Sequence, residues 1–190
     1  SDVEAIVYDG VLEEGDEIMI ASFGDPVSAK VRAIEEVKEL SFSFGRTKSV
    51  SAATGVRLQL TSTDGVVSGM PFEVGSGKAL EERLRKEVGS AVKTGKHGVI
   101  AKADSLGSLE ALLTLLKQEG ISVVKAGIGS IGKSDVVSAK ANLDINELDA
   151  VVVGFNVRVE EDVVLGKTKV ITKEVVYQLI EELKEWRAER

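Results

Sequence analysis

The chain has 190 residues, 43% of them hydrophobic and 29% charged, with a formal net charge of −7 and no cysteine. That length allows one domain or two, and the lack of cysteine excludes a disulfide framework and any thiolate metal site. No apolar run approaches the roughly 18 residues that span a bilayer, and the N-terminus lacks the basic-then-apolar pattern of a signal peptide, so a soluble, cytoplasmic protein with no membrane partner is expected.

The first 75 residues read as short strands separated by turn signals. Val3 to Tyr8 ends at Asp9-Gly10, Glu17 to Ala21 follows Glu14-Gly15-Asp16, and Ser28 to Ile34 alternates apolar and polar residues. Ser49 to Ala52, Val56 to Leu60 and Pro71 to Val74 are further candidates, and the spacing suggests a small antiparallel barrel. Charge is unevenly spread within it. Residues 1 to 75 hold six Lys and Arg against thirteen Asp and Glu, while the rest of the chain is balanced. All six bases (Lys30, Arg32, Lys38, Arg46, Lys48, Arg57) fall in one stretch, opposed there only by Glu35, Glu36 and Glu39. Two readings compete: alternation on solvated strands, or a basic face with the acidic segment Asp2 to Asp25 turned away.

Between Gly75 and Gly95 the pattern becomes helical, with Leu80, Leu84 and Val88 a turn apart and the pairs Glu81/Arg85 and Glu82/Lys86 at i,i+4. This predicts a connector helix. Val99 to Ala101 is a short apolar strand, and after it the leucines at 106, 109, 112, 113 and 116 mark one helix face that ends at Gly120. Asp104 or Ser105 can cap that helix, with the carboxylate the commoner choice at such a junction. The β-branched run Ile121 to Ala126 follows as a second strand, so a βαβ crossover in a parallel sheet covered on both faces is expected. Asp135 to Ala141 reads as a short helix, Ala150 to Asn156 as a fully buried strand and Lys169 to Ile171 as a last one. A helix capped by Thr172 then carries its apolar face on Val176, Leu179, Ile180 and Leu183. Its mostly charged end, from Lys184 to Arg190, is expected to project into solvent.

Three stretches carry a family resemblance: KADSLGSLEAL from 102, the Gly-x-Ile-x-x-x-Asp-Val pattern at Gly129 to Val136, and VVVGFNVRV at 151 to 159. In this order they resemble the third domain of bacterial translation initiation factor two, and still more its archaeal and eukaryotic counterpart, initiation factor five B. VYDGVLEEGDEI at 7 to 18 and AATGVRLQL at 52 to 60 are similar to the barrel that precedes it, whereas the stretch from Leu40 to Val50 is unlike it.

The resemblance implies a β-barrel of the type that follows the GTP-binding domain of translational GTPases (1–75), a linker helix (76–95), a small α/β/α parallel-sheet domain (96–172) and the start of a long C-terminal helix (173–190). It implies a factor that promotes ribosomal subunit joining and initiator tRNA placement. GTP and Mg would be bound by a GTP-binding domain outside this chain, which would itself hold no cofactor or metal and catalyse nothing. Its partners would be small-subunit ribosomal RNA and the GTP-binding and C-terminal domains of the same protein. Lys30, Arg32, Arg46 and Lys48 are the candidate RNA contacts.

One motif argues for another class. Gly127, Gly132, Lys133 and Ser134 complete the phosphate-binding pattern GxxxxGK[ST] after a predicted strand, as a small P-loop NTPase would require. Such a site also needs an acidic residue on a later strand for Mg and a base-reading motif; neither is evident, and the DxxG at Asp104 to Gly107 precedes the loop that it should follow. A structural turn is the favoured reading, and a generic protein-interaction module is the remaining alternative. His97, the one histidine, has no ligand or triad partners in sequence and reads as solvated. Trp186 could stack on RNA but more simply packs on the α/β domain.

Overall fold

In the first 75 residues a period of two in hydrophobicity demands strands with one covered face. The computed structural model, which describes residues 2–37 and 43–190, has them: β1 (Asp2–Val7), β2 (Val11–Glu13), β3 (Glu17–Ile20), β4 (Val27–Val37), β5 (Phe44–Thr47), β6 (Ser49–Ser51), β7 (Thr54–Leu60) and β8 (Phe72–Val74). The main sheet runs β1-β7-β4-β3-β8 with β5 on the edge of β4, and β2 pairs with β6. Every one of these pairings is antiparallel, giving the barrel-like unit. Leu12, Ile18, Ile34, Leu58 and Leu60 are fully buried in it.

β4 holds the reason its pattern is imperfect. Ala29 and Val31 face inward, but the next buried residue is Ile34, because the register with β7 shifts between Val31 and Ala33. One extra residue at Arg32 reverses the phase of the strand, as a β-bulge does. β5 lies in the stretch from Leu40 to Val50 that is unlike the family's barrel, and β6 falls on the predicted Ser49 to Ala52 strand; Lys38, Glu39 and the start of the former stretch lie outside the described residues. Helix α1 (Lys78–Ala91) buries Leu80, Leu84 and Val88, and Arg85 bonds both Glu81 (2.6 Å) and Asp25 (2.8 Å). Residues 70–88 belong with this first unit; 67–69 and 89–190 form the second.

The second unit is built from strands buried on both faces. β9 (Val99–Ala103), β10 (Val123–Ile128), β11 (Val151–Phe155) and β12 (Lys169–Lys173) form a parallel sheet of order β10-β9-β11-β12. On one face Val99, Ala101, Val151, Val153 and Ile171 pack with the leucines of α2 (Leu106–Gln118) and with Leu179, Ile180 and Leu183 of α4 (Val176–Ala188). On the other, Ile100 and Val152 meet Ile131 and, from α3 (Lys133–Lys140), Val136 and Ala139. This is the expected α/β/α layering followed by a C-terminal helix. A 3-10 turn, Glu147–Asp149, leads into β11. Gly154 interrupts the valines of β11 because a Cβ there would lie 2.7 Å from Val157 and 2.9 Å from Ile131.

Three local expectations need correction. Thr172 is a strand residue of β12, and α4 starts later, with Val175 extended at its cap; the β-branched run Val170 to Thr172 favours sheet over cap. The second strand runs Val123–Ile128, two residues beyond the predicted span, because Ile121 folds back onto α2 through a bond from its N–H to Leu116. The last turn of α4 is also anchored. Trp186 packs against the core, and the Arg187 guanidinium donates to the Leu148 carbonyl (2.9 Å) and to Asp149 (3.2 Å). Asp149 is held in turn by Asn146 at 3.0 Å, and Asn142 donates to the Asp149 and Gly98 carbonyls.

Candidate nucleic-acid interface

The four basic candidates are exposed in the first unit, three on strands and Lys48 between two, but their surroundings differ. Lys30 and Arg32 are exposed on β4, with Glu17 of β3 directly opposite Lys30. Lys48 is exposed between β5 and β6. Among the described residues these three have no ion-pair partner. Arg46 of β5 has one: its guanidinium meets Glu14 at 2.7 Å.

The acids of the first segment therefore do not turn away from the bases. Antiparallel register sets Glu4 opposite Arg57, Arg57 opposite Glu35 and Glu35 opposite Arg46, a row of alternating charge across β1, β7, β4 and β5. Arg57 bonds Glu4 at 3.0 Å and approaches Glu35 at 4.0 Å. Opposed residues on neighbouring strands share a face, so pairing across the sheet decides which charges meet. A count along the chain cannot find it, which is why alternation and a segregated basic face were both open in the sequence; the register gives an interleaved one. Arg57, left out of the four candidates, also stacks on Phe44, 3.8 Å from the ring centroid.

The 127–134 loop is stabilised from within. Gly129 N–H donates to the Ala103 carbonyl (2.9 Å), Ile131 N–H to Arg158 (2.9 Å) and Gly132 N–H to the Asp135 carboxylate (3.0 Å). A phosphate loop aims such groups at its ligand; here Asp135, in the first turn of α3, already occupies the place an anion would take. Asp135 is buried and binds Lys125 at 2.9 Å and Lys102 at 3.5 Å. Burial pushes its carboxyl up, but the Gly132 N–H, the Lys125 bond and the charges of Lys102 and Lys125 outweigh burial and hold it below its ordinary value. Gly127 lies beside this knot, its Cβ position 3.3 Å from the Lys102 amine. Lys133 points outward to Asp162, with both side chains exposed, and Ser134 is within 3.4 Å of Lys125. The glycines of the pattern thus serve a turn and a buried ion pair, and sequence spacing does not distinguish that use from a phosphate cradle.

At the β9–α2 junction Ser105, not Asp104, is the cap: its hydroxyl accepts from Ser108 N–H at 3.2 Å. The Asp104 carboxylate instead accepts from Asn156 at 2.5 Å, across the ends of the two central strands, and Asn156 takes a left-handed φ of 55°. His97 is exposed in the loop before β9. Among the described residues there is no cluster of His, Cys, Asp and Glu that could hold a metal, and no helix is long and apolar enough to cross a membrane.

A charged barrel-like unit followed along the chain by a parallel α/β/α unit is the domain order of the translation factors that the three motifs resemble. The family model for translation-initiation factor 2 matches residues 75–184, more than half of the chain, and the chain belongs to that family. It is 41% identical over 200 residues to a probable translation initiation factor IF-2 of Archaeoglobus fulgidus, covering 98% of this chain and 33% of that one. The corresponding protein of Methanosarcina barkeri is 34% identical, over 97% of this chain and 33% of its own. The crystal structure of GDP-bound aIF5B from Aeropyrum pernix superposes with a TM-score of 0.78 at 31% identity, over 99% of this chain and 34% of that one. The chain spans about a third of the length of the relatives it matches.

Proposed function

We propose that this chain is the ribosome-contacting and transmitting part of an initiation factor that promotes subunit joining and initiator tRNA placement in the cytoplasm. The first unit contacts small-subunit ribosomal RNA through Lys30, Arg32, Arg46 and Lys48. The second relays the nucleotide state of a GTP-binding domain, which holds GTP and Mg and carries out hydrolysis, toward α4 and a C-terminal domain. This chain then needs no cofactor and catalyses nothing itself. The observation that carries the reading is the pair Lys30 and Arg32, exposed on one strand and, among the described residues, without an ion-pair partner.

Binding to purified small subunits across a salt series is the test. Each phosphate contact releases counterions, so the slope of log affinity against log salt should shrink by about 0.7 to 0.9 per contact removed. Lys30→Ala, Arg32→Ala and Lys48→Ala are each expected to do so; Arg46→Ala should do less, because Glu14 already neutralises its charge. Binding indifferent to salt and to the quadruple change would overturn the assignment.

A further inference from the structure

Arg57 is placed unlike the four candidate RNA contacts. Its guanidinium donates to Glu4 (3.0 Å) and lies 4.0 Å from Glu35, so two carboxylates already offset its charge, and it is a weaker phosphate ligand than an unpaired guanidinium. What remains is its flat surface. Its guanidinium carbon lies 3.8 Å from the centroid of Phe44, and the side chain keeps 37% of its surface exposed, so the ring and the carboxylates leave part of it uncovered.

The surroundings are flat as well. Two residues along each strand from the charged row is an apolar row: Ile6 opposite Gly55, and Val37 opposite Phe44. Ile6 is 69% exposed and Val37 40%. A Cβ on Gly55 would meet nothing within 4 Å, so bare backbone lies open beside the guanidinium. Arg32 stands three residues from Glu35 on β4, roughly 10 Å along the strand, with Lys30 beyond it.

A guanidinium paired with a carboxylate, packed against an aromatic ring and still partly exposed suits a planar π-system, because it is weakly hydrated and partly ordered. Unpaired RNA bases are bound by stacking of this kind, and nearby cations hold the backbone. We propose that Arg57, supported by Phe44, is a stacking platform for an unpaired RNA base on the outer face of the first unit, with Lys30 and Arg32 on the adjoining phosphates. The proposal rests on the RNA reading above and adds to it a base contact with different chemistry. Glu4 and Glu35 offset the charge of Arg57 and so favour stacking over phosphate binding there, and the site prefers single-stranded over duplex RNA.

The experiment uses the 190-residue chain and a labelled single-stranded RNA ten-mer, intact or with one central abasic position scanned along it. Affinity should drop roughly tenfold at the stacked position, the scale of one lost base stack. Arg57→Lys keeps the charge and loses the plane: it should weaken the intact RNA by a similar factor, leave the abasic one unchanged and keep the salt slope. Phe44→Leu should follow it in part. Lys30→Ala with Arg32→Ala should lower the salt slope for intact and abasic RNA alike. If the slope responds to those two residues while Arg57→Lys and every abasic position are silent, the platform is overturned and the phosphate reading survives. If wild type binds neither RNA at low salt, both are overturned. If Arg57→Lys weakens binding to whole small subunits but intact and abasic RNA bind equally, the patch meets a protein and the platform is likewise overturned. The abasic scan on wild type needs no variant to fold.

Discussion

The two units handle charge in opposite ways. In the first, acids and bases alternate across the outer face of a sheet, in pairs that are largely exposed, such as Arg46–Glu14 and Arg57–Glu4. In the second, the core strands are largely apolar on both faces, and charge is drawn inward, in the knot Lys102–Asp135–Lys125 under the start of α3 and in the pair Asp149–Arg187. Exposed pairs contribute little, with a median of about 0 to 1 kcal/mol, whereas removing one member of a buried pair leaves an uncompensated charge. Charge pairing in the first unit therefore adds little to stability, whereas in the second it is part of what holds the fold.

The largest expected effect comes from the apolar layer. Leu112→Ala, at a fully buried position of α2, should cost about 3 to 5 kcal/mol. Calorimetry should show the loss in the transition of the second unit alone, as independently folding units require. If Leu112→Ala and Leu58→Ala each move the same single transition, the division into units fails as an energetic statement.

Asp135→Asn comes next. It removes one side of the buried pair and should cost about 3 kcal/mol at neutral pH. The folded pKa of Asp135 is lowered, so its contribution is complete above the unfolded value of about 3.9 and disappears as pH falls through the folded pKa. Urea unfolding followed from neutral pH down to about pH 2 should show a shallower acid limb in the variant. An unchanged limb would mean that the knot is no more important than the exposed pairs of the first unit.

Arg187→Ala should cost about 1.5 kcal/mol, the lower range for a hydrogen bond to a charged group. Hydrogen exchange should speed up in the last turn of α4 while Leu179 stays protected. Equal exchange in wild type and variant would return that turn to the solvent-projecting state the sequence suggested.

The smallest effect belongs to Lys133→Ala. An exposed pair with Asp162 is worth under about 1 kcal/mol, and a titration with Mg and GTP or ATP should give no micromolar binding before or after the change. Tight binding that the variant loses would overturn the reading of 127–134 as a structural turn.

Elements whose signal is local were legible in the sequence: the leucine face of α2, the valines of β11 and the alternation in β4 up to Val31. What escaped depends on partners far away in the chain. The bulge at Arg32 exists only against β7, the placement of Asp104 depends on Asn156, and the anchoring of α4 depends on Asp149, nearly forty residues before Arg187. The basic candidates were identifiable as residues but not as a surface, because strand pairing and the Arg46–Glu14 ion pair set Glu14, Glu17 and Glu35 beside them. Spacing also could not show that the glycine pattern at 127–134 lies over a carboxylate from its own helix.

Gly127 and Lys102 also tie two distant codons together. The lysine reaches Asp135 across a position where a Cβ would stand 3.3 Å from its amine and 3.4 Å from its Cδ. A lineage that puts a larger residue at 127 displaces that chain, and one that shortens Lys102 no longer needs the glycine. The two positions should therefore change together among relatives, with Asp135 losing its acid only where both have already gone. A nucleotide-binding ancestry would instead tie Gly127 to Lys133 and leave 102 to drift.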